Sequence, residues 1–159
     1  RELDLLIIDE VSMLRADMLD AIDHVLKRYR NNRQPFGGVQ MLFIGDLFQL
    51  PPVAQQHEWN LLSKYYASPF FFHAPALDNN MPLYTELKTV YRQTDQQFID
   101  VLNRIRHNRV TDADLRLLNA KYKPDFAPAE GDKYVTLCTH NYRAEQINRA
   151  ELDKLTTRS

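Results

Sequence analysis

Two short runs of apolar residues near the start of the chain predict β-strands, at residues 3–8 and 39–44. Both runs are nearly continuous rather than alternating, as in parallel strands that are covered on both faces. Between them, apolar residues recur at three- and four-residue spacing from Met18 to Tyr29, which is typical of an amphipathic helix. Strand, helix and strand predict a βαβ unit with a right-handed crossover. Pro-Phe-Gly-Gly at residues 35–38 supplies the turn into the second strand.

The rest of the chain predicts shorter elements. Pro51-Pro52 ends regular structure, and a short helix is expected at residues 58–66. Capping-box patterns that start at Thr94 and Thr111 predict two further helices. Three short strands are expected at residues 70–72, 82–88 and 134–138. A loop is expected at residues 124–132, and a final helix from Asn141 to about Leu155.

The composition is typical of a globular protein. Of the 159 residues, 44% are apolar and 26% are charged, and this length allows one ordinary domain or parts of two. The lone Cys138 excludes an internal disulfide framework and a cysteine-based zinc site, which favours a reducing, cytoplasmic location. No apolar run approaches the roughly 20 residues that a membrane-spanning helix needs. The basic clusters at residues 27–34 and 104–109 are interpreted as solvated helix ends rather than phosphate contacts.

Asp9 and Glu10 directly follow the first predicted strand. In nucleoside triphosphatases, an Asp at the carboxyl edge of the sheet helps to hold hydrated Mg²⁺, and the Glu after it orients or deprotonates the attacking water. The alternative is structural, namely an acidic pair beside the positive end of the following helix. The pair alone does not decide between the two.

A second polar loop, from Gly45 to Val53, follows the second predicted strand. Because the carboxyl ends of parallel strands meet at one edge of a sheet, this loop is expected beside the acidic pair. There Gln49 can hydrogen-bond both a γ-phosphate oxygen and the attacking water, and the rigid Pro51-Pro52 would transmit its position. The less favoured alternative is a proline-braced loop in which Gln49 has no chemical role.

Three stretches together resemble one helicase family: residues 9–13, 35–38 and 45–53. They are similar to the Pif (petite integration frequency) and RecD-like branch of superfamily 1 DNA helicases, and Pro-Phe-Gly-Gly brings the match closer to the Pif side. The resemblance implies a motor with two RecA-like domains and ATP in the cleft between them. It also implies ATP and Mg²⁺ as cofactors, single-stranded and forked DNA as partners, no membrane partner, and 5′-to-3′ movement.

The resemblance extends to two stretches downstream. Residues 87–93 resemble the family's fourth motif, in which an arginine, here Arg92, reaches across the cleft to the γ-phosphate. An arginine from a second domain stabilises transition-state charge only when the cleft is closed. The alternative for Arg92 is a surface residue that caps the turn before the next helix. Residues 139–141 are similar to a DNA-backbone motif, with an amino-terminal helix cap at Asn141 as the alternative.

The resemblance therefore implies roles for single residues. Asp9 would hold Mg²⁺ through water, Glu10 would act on the attacking water, Gln49 would sense the γ-phosphate and Arg92 would act as the arginine finger. All four would contact the nucleotide or its metal. The candidates for DNA contact are Pro51, Pro52, His140 and Asn141.

The expected architecture is α/β, a partial RecA-like P-loop NTPase fold in which a parallel sheet is flanked by helices. Residues 1–85 would be the second half of the first motor domain and residues 86–159 the start of the second. The chain looks cut at both ends. It has no Gly-x-x-x-x-Gly-Lys-Ser/Thr phosphate loop, so the chain alone is expected neither to bind ATP tightly nor to hydrolyse it.

The favoured function is an ATP-dependent DNA helicase that serves DNA repair, recombination or telomere and genome maintenance. One alternative is a catalytically silent DNA- or protein-binding module, but decay would not spare Asp9, Glu10, Gln49 and Arg92 together. Another is a RecD-like exonuclease subunit or the helicase part of a conjugative relaxase. Five aromatic residues are interpreted as core rather than as base-stacking platforms: Trp59, Phe70, Phe71, Phe72 and Tyr91. The five histidines show no metal-ligand spacing: His24, His57, His73, His107 and His140.

Overall fold

The computed structural model describes residues 2–127, 129, 132 and 134–154. In this part of the chain, the strands are β1 (Leu5–Ile8) and β2 (Gln40–Phe43). The helices are α1 (Ala16–Arg30), α2 (Gln56–Leu62), α3 (Gln96–Arg106), α4 (Asp112–Asn119) and α5 (Asn141–Lys154). Short 3-10 turns lie at Val11–Met13, Pro35–Gly38, Phe71–His73 and Pro75–Leu77. No described helix is long and apolar enough to cross a membrane.

The chain divides into two compact units, Arg1–Arg109 and Val110–Ser159. The first unit contains both strands and helices α1 to α3, and the second contains α4 and α5. This division reflects contacts within each unit. The assignment of residues 1–85 and 86–159 to two motor domains stays a prediction.

The predicted βαβ unit is confirmed. β1 and β2 pair in parallel, with Leu5 opposite Gln40 and Ile8 opposite Phe43, and α1 connects them. Among the described residues, the sheet consists of these two strands. The fold is therefore α/β, as the pattern of apolar runs predicts.

Only one face of this two-stranded sheet is covered, so the prediction of strands covered on both faces is wrong for the described residues. Ile8, Met41 and Phe43 pack against the buried core, whereas Ile7 and Leu42 on the other face are 53% and 43% exposed. Side chains alternate across a strand, and the helix and turns of this unit pack on one side of it. A nearly continuous apolar run thus leaves one apolar face open.

The core lies between the covered face of the sheet and α1. Leu19 on α1 is fully buried, and Ile22 and Leu26 pack partly against the same cluster. Met18 and Tyr29, at the margins of the predicted stripe, are exposed. The apolar periodicity therefore identifies the correct helix face but overstates its width. The buried cluster consists of Val11, Ala16, Leu19, Phe36, Phe71, Ala74 and Leu77.

The Pro-Phe-Gly-Gly turn is fixed by α1. Phe36 is buried with φ of 52°, and its amide donates to the Asp23 carboxylate at 2.7 Å. Gly37 has φ of 64°, and a Cβ there would lie 2.6 Å from the Leu26 carbonyl oxygen. Only glycine avoids both the backbone strain and the collision. The turn that the sequence predicts is therefore a required connection between α1 and β2.

An ion-pair cluster joins the starts of α1 and α2. Arg15 pairs with Asp17 at 2.8 Å and with Glu58 at 3.0 Å. The hydrogen bonds from Arg15 hold the pKa of Asp17 below its usual value. Glu58 also accepts from the Gln55 amide at 3.0 Å, so α2 begins at Gln56, earlier than the predicted start at residue 58. The helix ends at Leu62 rather than at the predicted Tyr66.

None of the three short predicted strands forms in the described residues. Residues 70–72 enter a 3-10 turn in which Phe71 is buried and Phe70 stacks on Phe72 at 5.3 Å. Residues 82–88 and 134–138 form no ladder. A strand needs a neighbour that accepts and donates its backbone hydrogen bonds, and among the described residues only β1 and β2 pair in a sheet.

The helix-start patterns agree closely with the structure. α4 begins with the predicted capping box, because the Thr111 amide donates to Asp114 at 3.0 Å and the Thr111 hydroxyl accepts from the Asp114 amide at 3.3 Å. α3 begins one residue later than predicted, since Asp95 rather than Thr94 accepts the Phe98 amide at 3.1 Å. The predicted end of α5 at Leu155 and part of the loop at 124–132 lie outside the described residues.

Candidate functional site

The loops that follow β1 and β2 lie side by side at the carboxyl edge of the sheet. The Ile44 amide donates to the Ile8 carbonyl at 2.9 Å, and the Val11 amide donates to the Ile44 carbonyl at 2.9 Å. These bonds extend the parallel pairing past the end of each strand. They bring the acidic pair, residues 9–10, beside the loop that begins at Gly45, as parallel strands require.

Gly45 is the point of closest approach between the two loops. A Cβ at this position would lie 2.9 Å from the Val11 amide nitrogen and 3.2 Å from that of Ser12. Both neighbours are backbone atoms, which cannot rotate away as a side chain can. The sequence does not predict this requirement for glycine. Its only signal is the position of Gly45 between the second strand and Asp46.

Replacing Gly45 by Ala is expected to push the two loops apart. We expect the free energy of unfolding to fall by about 1–3 kcal/mol, and the Val11 amide, which donates to the Ile44 carbonyl, to exchange its hydrogen faster. Thermal unfolding and amide hydrogen exchange would measure the two effects. Gly38→Ala is the control: it strains a turn with φ of 77° away from this edge, so it should cost stability without selectively speeding exchange at Val11.

Asp9 and Glu10 form a tight, solvent-exposed turn. Glu10 has a left-handed backbone, with φ of 51° and ψ of 40°, and its amide donates to the Asp9 carboxylate at 2.8 Å. Such a conformation is uncommon for a residue other than glycine, and residues that hold it occur at functional sites as well as in structural turns. Glu10 occupies the capping position of the turn at Val11–Met13, but its side chain makes no capping hydrogen bond. The structural alternative of a side-chain cap is therefore not seen.

Asp46 organises the second loop. Its carboxylate accepts hydrogen bonds from the Phe48 amide at 3.0 Å and from the Gln49 side-chain amide at 3.2 Å. The Gln49 backbone amide also donates to the Asp46 carbonyl at 3.0 Å. The side chain of Gln49 is thus held at the sheet edge while remaining exposed. Pro51 is exposed and Pro52 is buried after it, as a rigid connection toward α2.

An arginine from α3 also reaches this loop. Arg106 pairs with the Asp46 carboxylate at 3.2 Å, and its guanidinium lies 4.9 Å from the centre of the Phe48 ring. The cluster at 104–109, interpreted from the sequence as a solvated helix end, thus includes an arginine that contacts the Gln49 loop. No local pattern indicates it, because the contact joins residues that are far apart in the chain.

Arg92 is not joined to these groups by a hydrogen bond or an ion pair. It lies exposed at a bend ahead of α3, and no described residue pairs with its side chain. The alternative role, capping that turn, falls instead to Gln93, whose side chain accepts the amides of Thr94 and Asp95 at 2.8 and 3.0 Å. The Arg92 guanidinium is therefore available for a partner outside this chain segment.

The remaining DNA candidates lie in the second unit. His140 is bonded to the Thr139 hydroxyl at 2.9 Å, and its carbonyl accepts the amides of Arg143 and Ala144 at 3.2 and 3.4 Å. His140 rather than Asn141 therefore holds the capping position, and Asn141 is the first residue of α5. Both residues are exposed.

The carboxylates at the sheet edge are of the chemical type that magnesium prefers. Mg²⁺ prefers oxygen ligands and is often held by one or two carboxylates together with waters and phosphates. Asp9 is exposed and uses one oxygen for the Glu10 amide. Among the described residues, no group of three or more His, Cys, Asp or Glu side chains is placed to hold a metal ion. A magnesium ion at Asp9 would therefore need waters or phosphate oxygens as its other ligands.

A parallel βαβ unit with an Asp-Glu turn and a Gly-Asp-x-x-Gln loop at one edge belongs to the class of RecA-like nucleoside triphosphatase cores. The model of the PIF1-like helicase family matches residues 1–116. The chain therefore belongs to the PIF1-like helicase family.

Similar proteins agree with this membership. The ATP-dependent DNA helicase PIF1 of Saccharomyces cerevisiae (strain YJM789) is 36% identical over 155 residues, which cover 94% of this chain and 16% of that protein. The crystal structure of Pif1 helicase from Bacteroides in complex with ADP-AlF3 and ssDNA superposes with a TM-score of 0.88 at 41% identity, covering 99% of this chain and 37% of that one. A structure described as showing DNA unwinding at forked dsDNA by two coordinating Pif1 helicases gives 0.85 at 41%, covering 96% and 36%. The chain thus spans only about a fifth of its curated relatives.

Proposed function

We propose that this chain is the central segment of an ATP-dependent DNA helicase that moves 5′ to 3′ on single-stranded DNA and unwinds forked duplexes. The observation that carries the proposal is the joined pair of loops at one sheet edge, fixed by the Val11–Ile44 hydrogen bond and the close approach at Gly45. Relatives named ATP-dependent DNA helicase PIF1, and Pif1 structures described with ssDNA and forked dsDNA, support the same function.

The loops divide the chemistry of ATP hydrolysis between them. Asp9 would hold Mg²⁺ through water, and the ion when bound neutralises phosphate charge. The Glu10 carboxylate makes no hydrogen bond or ion pair with a described residue. It would accept a proton from the attacking water or orient that water. Gln49 would donate one side-chain N–H to a γ-phosphate oxygen while the other N–H stays on the Asp46 carboxylate. ATP therefore meets both loops at once.

Arg92 would complete the site from the segment ahead of α3. Its guanidinium has no partner in the described chain and is free to bind phosphate oxygens in a fork geometry. Because an arginine finger stabilises charge that develops in the transition state, its approach would couple hydrolysis to closure of the motor.

DNA contact is assigned to Pro51, Pro52, His140 and Asn141, of which all but Pro52 are exposed. The rigid Pro51-Pro52 step directly follows the Gln49 loop. A movement of Gln49 when ATP is bound or hydrolysed would therefore be transmitted to the DNA strand that Pro51 and Pro52 contact. Repair, recombination or telomere and genome maintenance would use such a motor. A single cysteine, Cys138, supports a reducing, cytoplasmic setting.

The test measures ATP hydrolysis and unwinding by the intact protein that contains this chain. We expect single-stranded DNA to stimulate hydrolysis strongly, and a fork with a 5′ tail to be unwound faster than one with a 3′ tail. The isolated 159-residue chain should hydrolyse no ATP, since it has no Gly-Lys phosphate loop. A well-folded intact protein that binds DNA without hydrolysing ATP would overturn the helicase and favour a catalytically silent DNA-binding module.

A further inference from the structure

Arg106, the last residue of α3, contacts the loop that contains Gln49. The Arg106 guanidinium forms an ion pair with one Asp46 carboxylate oxygen at 3.2 Å, and the other oxygen accepts the Gln49 side-chain amide at 3.2 Å. The first oxygen also accepts the Phe48 amide at 3.0 Å. One carboxylate thus connects the arginine to the glutamine.

Aromatic contacts fix Arg106 in this place. Its guanidinium lies 4.9 Å from the centre of the Phe48 ring, and the His107 ring meets that same ring edge-on at 5.9 Å. Phe48 stays 63% exposed with these two contacts in place. A planar guanidinium that pairs with a carboxylate and stacks on a ring has few alternative orientations.

We propose that Arg106 is a positioning residue that holds Gln49 in its hydrolysis-competent orientation by acting through Asp46. The inference rests on the proposed role of Gln49 at the γ-phosphate and adds a residue to it. If Arg106 is replaced or moves away, the Asp46 carboxylate is freer to rotate, and the side-chain amide of Gln49 loses its fixed acceptor. Gln49 then samples orientations that reach neither the γ-phosphate nor the water.

The place of Arg106 in the chain makes this contact a link between the two sides of the proposed site. α3 begins shortly after Arg92 and ends at Arg106. A movement of α3 would therefore shift Arg92 and release or restore the contact with Asp46 at the same time. The arginine finger and the glutamine would become competent together.

The ion pair is too exposed to serve mainly as a stabilising contact. The side chains of Arg106 and Asp46 are 38% and 24% exposed, and pairs at such positions contribute little to folding. Removal of the arginine is therefore expected to leave the folded state nearly intact. This separates a positioning role from a structural one.

The experiment compares Arg106→Ala, Gln49→Ala and the double variant in the intact protein. Arg106→Ala should lower kcat for DNA-stimulated ATP hydrolysis about 10- to 100-fold, with KM for ATP changed less than about twofold and Tm lowered less than about 2 °C. Arg106→Lys, which keeps the charge but not the planar stacking, should recover part of kcat. In the Gln49→Ala background, Arg106→Ala should have no further effect, since both act through one group.

Arg109→Ala is the matched control, because Arg109 is exposed and no described residue pairs with its side chain; its kcat should equal that of the wild type. Independent, multiplicative losses in the double variant would overturn the proposal, as would an Arg106→Ala protein with wild-type kcat. A Tm loss that accounts for the whole loss of activity would overturn it as well. If the wild-type protein itself hydrolyses no ATP, the helicase proposal fails and this inference with it.

Discussion

Replacing Glu10 by Gln in the intact protein is expected to lower the rate of DNA-stimulated ATP hydrolysis by about 10²- to 10⁴-fold. Glutamine keeps the size of the side chain but cannot accept the proton of the attacking water. The left-handed turn at Glu10 and the hydrogen bond of its amide to Asp9 involve the backbone, so the substitution leaves them intact. Single-turnover hydrolysis and the affinity for an ATP analogue would separate chemistry from binding, and we expect the affinity to persist.

Glu86→Gln provides the matched control, since Glu86 is exposed in a segment without regular structure and lies outside the site. It should hydrolyse ATP at the wild-type rate. If Glu10→Gln kept full activity, Glu10 would be no more than a surface acid in a turn. If it lost the affinity for nucleotide and kept kcat, its role would be to bind the nucleotide rather than to activate water.

The local features of the fold were predictable because they depend on neighbours in sequence. The turn at residues 35–38 follows from proline and glycine, and the start of α4 follows from the Thr111 and Asp114 capping pair. The parallel pairing of β1 with β2 follows from two apolar runs on either side of one helical stripe. In each case, the pattern that predicts the structure can be recognised in the order of residues along the chain.

The failures concern pairing and cover, which depend on distant segments. Residues 82–88 and 134–138 have the composition of strands, but composition does not place a hydrogen-bonding neighbour beside them. The exposed face of β1, where Ile7 lies open, shows the same limit for burial. An apolar run indicates that cover is favourable without indicating what provides it.

The candidate site divides in the same way. The placement of residues 9–10 and the Gln49 loop at one edge could be predicted, because it follows from the topology of parallel strands. The close packing at Gly45 and the contact of Arg106 with Asp46 could not, because each depends on coordinates from another part of the chain. The sequence predicts which groups would meet the nucleotide but does not indicate the contacts at Gly45 and Arg106 beside them.

Arg92→Ala is expected to lower kcat for ATP hydrolysis by about 10³-fold or more, the loss that follows removal of an arginine finger. The guanidinium is exposed and unpaired in the described chain, so its removal costs no fold contact. Arg92→Lys keeps the charge but not the planar fork that binds two phosphate oxygens, and it should restore only a small part of the rate. Stopped-flow measurement of phosphate release at saturating ATP and single-stranded DNA would determine both values.

The neighbouring cation Lys88 supplies the control for this last substitution, because it is exposed in the same segment. Lys88→Ala should leave kcat unchanged, and both variants should bind single-stranded DNA as the wild type does. An Arg92→Ala protein with weakened DNA binding and normal kcat would show that Arg92 contacts the DNA backbone rather than the γ-phosphate. Retention of both properties would return Arg92 to the role of a surface residue ahead of α3. A loss confined to kcat is the result that requires Arg92 to meet the nucleotide only as the charge develops.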